Sequence, residues 1–143
     1  MVESTAGDTA SDATLERLVG LRSVLLRLHK TLLDTERATY EVVHGSVSSG
    51  ELLQLVINHP QFAWLHPVSE LIVRVDEMLD ADEPLTTSEA ESLLAQARAL
   101  LKPSETGDEF GRKYFAAFQR EPGAVLAHRE VMLMLEAGNV ATG

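Results

Sequence analysis

The chain has 143 residues, 45% apolar and 24% charged, a balance that fits one globular domain with a single core. It contains no cysteine, which excludes disulfides, thiolate metal sites and cysteine nucleophiles and fits a reducing compartment. A net charge of −10 argues against nucleic acid or anionic lipid as a partner, and no apolar run approaches the roughly 18 residues of a membrane span.

Residues 1–11 are small, polar and acidic, without periodicity, and read as a disordered tail. They lack both the apolar stretch of a secretory signal and the arginines of a mitochondrial presequence. From there a single helical domain is expected over 12–138, followed by a frayed end at 139–143. The first helix is marked by Leu18, Leu21, Leu25, Leu28 and Leu32, which step by three and four. The same register runs on through Thr35, Thr39 and Val42. Asp12 or Thr14 is a suitable N-cap and Gly45 a stop.

Ser48 and Glu51 form a capping-box pattern ahead of a second helix, which should end near Asn58 or His59 because Pro60 disfavours helix before it. PQFAWLH then reads as a connector, with a 3₁₀ turn as one form. Pro67 suits the first turn of a third helix with an apolar face of Val68, Leu71, Ile72, Val75, Met78 and Leu79. Thr86 and Glu89 give a second capping box before a helix ended by Pro103. A fifth helix starts at Thr106 or Asp108 and carries Phe110, Tyr114, Phe115 and Phe118, an aromatic row that reads as core or as a partner-binding groove. Pro122 breaks it, and a sixth segment carries Val125, His128, Val131, Met132 and Leu135 as far as Gly138.

No strand-like alternation or internal repeat appears, so the expected fold is all-α. Segments two and three together match helix one in length, as do segments five and six. Two proline-broken members would then complete a four-helix-like antiparallel bundle, with an array of six shorter helices as the alternative.

Three groups of residues suggest chemistry. Glu41 and His44 have Glu-x-x-His spacing on one helix face, although di-iron bundles need two such motifs and only one is present. His66 and Glu70, four apart, could share a metal. His59, Phe62, Trp64 and His66 bring imidazoles and aromatics together in the connector, and with His128 they would form a ligand or haem pocket. The plainer alternative is that Phe62 and Trp64 plug the end of the bundle. Neither a Gly-x-Ser-x-Gly elbow nor a phosphate-cradling glycine motif occurs, and no activated partner for histidine acid–base catalysis is visible.

The strings LHPVSELIVRVDEML and FGRKYFAAFQREPGAVLAHREV resemble those of small uncharacterised helical proteins of bacteria. The likeness covers residues 62–135 and implies a bacterial, cytoplasmic, all-α protein, without importing an activity. On sequence alone the chain reads as a non-enzymatic interaction or scaffold module that self-associates as a homo-oligomer or binds a protein. The expected interface lies on helix one, at Leu25, Leu26, Leu32 and Leu33. No cofactor is expected in that reading. The alternative is a bundle that binds a metal, haem or small molecule around the 59–66 connector.

Overall fold

Six α-helices and one 3₁₀ segment form in the computed structural model, which describes residues 8–142 and side chains as far as 136. The order is α1 (Asp12–His44), α2 (Ser49–Asn58), the 3₁₀ segment (Pro60–Leu65), α3 (His66–Asp80), α4 (Thr87–Leu100), α5 (Glu109–Arg120) and α6 (Pro122–Thr142). The fold is all-α. Among the described residues the sole β feature is a single antiparallel bridge between Thr9 and Thr86.

Local chemistry sets the helix ends. Ser11, rather than the expected Asp12 or Thr14, starts α1 by accepting the Thr14 N–H at 3.1 Å. Gly45 ends it in the left-handed region, φ 84°, while its N–H closes on the Glu41 carbonyl at 2.9 Å. Both capping boxes form. The Ser48 hydroxyl accepts the Glu51 N–H and the Glu51 carboxylate accepts the Ser48 N–H, each at 3.1 Å. Thr86 and Glu89 repeat this reciprocal pair at α4. Asp108 caps α5 through the Gly111 N–H at 2.8 Å.

The expected acidic tail divides in two. Residues 1–7 lie outside the described residues. Residues 8–10 are docked: the Ala10 N–H donates to the Leu85 carbonyl and the Thr87 N–H to the Asp8 carbonyl, both at 2.7 Å, and Ala10 is buried. This clip fastens the start of α1 to the start of α4. At the other end the α6 backbone stays helical past Gly138 to Thr142, where fraying was expected, and Gly143 lies outside the description.

Helix α1 is the axis of the fold. It runs antiparallel to α6, with Arg17 donating to the Met134 carbonyl at one end and Arg27 paired with Glu130 further along. It also runs antiparallel to α3, through the Arg22–Asp76 pair and a 2.9 Å contact between His29 and Ser69. Helix α4 packs against both α3 and α6, with Arg74 donating to Gln96 at 3.0 Å across the α3–α4 seam. The leucines from Leu18 to Leu32 and their partners Leu71, Val75, Leu93, Leu94, Val131 and Leu135 fill the space between.

Three expectations are corrected here. First, α5 and α6 are not halves of one kinked rod. Fourteen residues of continuous helix would separate Tyr114 and His128 by about 21 Å, yet the Tyr114 hydroxyl lies 2.7 Å from His128 Nδ1. The chain therefore doubles back at the extended residue Glu121, ahead of Pro122. Second, the buried stripe of α1 leaves the heptad register after Leu32. The buried residue is Glu36 rather than Thr35, and Val42 is 86% exposed. A straight helix drifts by about 20° per heptad, enough to shift the stripe from a 3.5-residue to a four-residue step over this length. Third, Leu25 and Leu32 are wholly buried inside the chain and cannot form an interface, while Leu33 is half-buried against the core and Leu26 is 41% exposed.

Neighbouring leucines on α1 should therefore behave differently. Leu25→Asp should destabilise the chain by roughly 4 kcal/mol or prevent folding, whereas Leu26→Asp should cost under about 1 kcal/mol, as measured by urea unfolding.

Candidate functional site

The connector between α2 and α3 is organised by a residue that its own sequence does not contain. Glu36, on α1, is 8% exposed and the one buried charged residue among those described. A buried carboxylate is costly unless donors surround it. Trp64 Nε1 donates to Oε1 at 3.0 Å and Gln61 Nε2 donates to Oε2 at 3.0 Å. The Arg120 guanidinium lies 3.8 Å from Oε1 and also donates to the Thr39 hydroxyl at 3.2 Å. One carboxylate thus ties α1 to the 3₁₀ segment and to the end of α5.

The 3₁₀ segment is shaped to reach it. His59 is extended ahead of Pro60, and its Nδ1 accepts the Gln61 N–H at 3.1 Å, which caps the segment and fixes Gln61. Phe62, Trp64 and Leu65 turn inward and are buried. Phe62 lies 6.0 Å from Tyr40, and Trp64 lies 5.7 Å from Phe110. From Phe110 the aromatic contacts continue through Tyr114 and Phe118 to His128. Phe110 and Tyr114 are core, and Phe115 and Phe118 are half-buried. Phe62 and Trp64 thus serve as an interior plug.

The histidines expected to converge do not. His66 Nε2 donates to the Val56 carbonyl at 2.8 Å, satisfying an orphan acceptor in the last turn of α2. His59 packs edge-on to Tyr40 at 5.5 Å. His128 sits on the far side of the aromatic row, against Tyr114. His59, His66 and His128 therefore have three separate sets of neighbours.

The two metal pairs are likewise engaged in other contacts. Glu70 lies 3.7 Å from Arg74. Glu41 accepts the Val47 N–H at 2.8 Å and faces Arg37 at 3.4 Å, while the exposed His44 stacks on Tyr40 at 4.3 Å. Among the described residues no three His, Asp or Glu side chains lie together as a metal site.

Two features were missed in the sequence. Glu36 lies one position beyond the heptad register and carries no local signal of burial. His29 is partly buried at the α1–α3 contact, its Nε2 2.9 Å from the Ser69 hydroxyl. Burial lowers its pKa, and the nearby His66 lowers it further. Burial also lowers the His128 pKa and raises that of the Tyr114 phenol.

Open grooves lie on the surface, and one of them is bordered by His66 and Glu70. One of about 390 Å³ runs along the outer face of α3, lined by His66, Ser69, Glu70, Val73, Arg74 and Glu77. A larger one, about 520 Å³, lies between α1 and the α5–α6 corner and includes Thr31, Thr35, Thr39 and Arg120. Its threonine hydroxyls donate to carbonyls one turn back along α1, at 2.9–3.1 Å. Neither groove is lined by His59, Phe62, Trp64 or His128.

Comparison with known protein families, with curated proteins and with solved structures finds no match for this chain.

The two partly buried imidazoles, His29 and His128, set an acid limit on stability. Their folded pKa values lie below the ordinary value of about 6.5, so the unfolded chain takes up protons first as pH falls. Their contribution is complete above about pH 6.5 and declines as pH drops from there through the folded values. Urea unfolding should show stability falling from about pH 7 to 5, with a flatter profile in His29→Asn/His128→Asn.

Proposed function

We propose that this chain is a non-enzymatic helical interaction module and that its partner includes a second copy of itself. The observation that carries this reading is a set of large apolar side chains on well-formed helices that face solvent although the core is complete. Val19 and Leu26 on α1, Val73 on α3, Leu53 and Ile57 on α2, and Leu133 on α6 are all more than two-fifths exposed. Single exposed apolar residues are ordinary, but their number on a small domain favours a binding role.

The engagement of His59, His66 and His128 in three separate contacts supports this reading over the metal-, haem- or small-molecule-binding alternative. Among the described residues no helix is long and apolar enough to cross a membrane. The acidic charge weighs against nucleic acid, and a bacterial, cytoplasmic setting is part of the same proposal.

Sedimentation equilibrium at micromolar to about 100 µM protein tests the self-association. The expected result is a mass rising toward twice the 15.6 kDa of the chain. A mass that stays at one chain throughout would contradict it.

A further inference from the structure

We infer that the second copy docks on the end of the molecule formed by α2 and the last turn of α1, away from the α1 seam. This rests on the self-association proposed above and says where it occurs. Helix α2 is the least satisfied element of the fold. Five of its ten residues are Leu, Val or Ile, yet none is buried. Leu52, Leu55 and Val56 lean on the core, while Leu53 and Ile57 are 58% and 55% exposed. Four apart, Leu53 and Ile57 adjoin on one face. Val42 and Val43, on the last turn of α1, are also exposed. Tyr40 contacts both His44 and His59, which holds the ends of α1 and α2 at the same end of the molecule.

Charge identifies the occupant. From 42 to 69, histidines aside, Glu51 is the sole ionisable residue, in a chain whose net charge is −10. Its carboxylate is already engaged in the Ser48 capping box. Two copies of so acidic a chain repel one another over most of their surfaces. They meet with the least of that penalty through the one long stretch that carries almost no charge. A basic partner would gain most from the acidic faces and little from this end, so an uncharged apolar patch on an acidic protein suits its own copy. Pairing α2 with α2 across a two-fold axis would bury Leu53 and Ile57 from both chains in one self-complementary contact.

Sedimentation equilibrium on three full-length proteins tests this: wild type, Leu53→Glu/Ile57→Glu and Leu26→Glu/Val73→Glu. The α2 variant should weaken the dimer by at least about a hundredfold, and the α1–α3 variant should change it by less than about threefold. Both should keep the wild-type circular dichroism spectrum, because the replaced side chains are exposed in the single chain. The wild-type dimer should also tighten as ionic strength rises from about 0.01 to 0.15 M, since salt screens the repulsion between acidic chains. A dimer broken by the α1–α3 variant but not by the α2 variant would overturn this placement and leave self-association standing. A wild-type monomer up to about 100 µM would overturn both. A monomer that floats with neutral phosphatidylcholine vesicles, and loses that binding with Leu53→Glu/Ile57→Glu, would assign the face to a membrane and overturn the second copy as occupant.

Discussion

A carboxylate taken out of water must be met by donors, and in this fold that requirement falls on Glu36. With 8% of its surface exposed, it draws Trp64 and Gln61 from the 3₁₀ segment and Arg120 from the end of α5. The desolvation penalty of an ion is several kcal/mol, so the arrangement holds only while the donors stay in place. That makes the connector rigid. Once Trp64 is fixed, Phe62 and Leu65 point inward and α3 leaves the connector antiparallel to α1. Phe110 then packs on Trp64, which seats α5.

Much of this was legible in the sequence where the signal is local. The leucine seam from Leu18 to Leu32, both capping boxes and the helix breaks at Pro60, Pro103 and Pro122 all depend on neighbours within a turn or two. The departures come from interactions across the chain. The buried stripe passes to Glu36 because helical drift and a tryptophan 28 residues later decide it. Residues 8–10 dock because unpaired backbone groups at 85 and 87 are within reach. Nothing before Pro122 specifies whether α6 continues from α5 or folds back beside it; the Tyr114–His128 contact records the outcome.

The candidate site was legible as a place and misread as chemistry. Two His-Pro pairs around Phe62 and Trp64 do mark an unusual connector. The polar atoms of the connector, however, bond the backbone and Glu36, and of its residues His66 alone borders a described groove, the open one along α3. His59 caps the 3₁₀ segment, and His66 satisfies a carbonyl at the end of α2. The connector thereby stabilises the lower end of α1 and presents α2 beside it. Structure and proposed function meet at that point: the connector's polar groups are used inside, and α2 turns Leu53 and Ile57 outward beside Gln54 and Asn58, with Glu51 as its single charge.

Glu36 and Trp64 act together to hold the connector on α1. A double-mutant cycle of Glu36→Ala and Trp64→Phe, followed by urea unfolding and circular dichroism, tests it most directly. The expected coupling energy is at least about 1 kcal/mol, because Glu36→Ala leaves the buried Trp64 N–H without its acceptor and Trp64→Phe leaves Glu36 short of one donor. Single-variant losses that add to within about 0.3 kcal/mol in the double variant would contradict it.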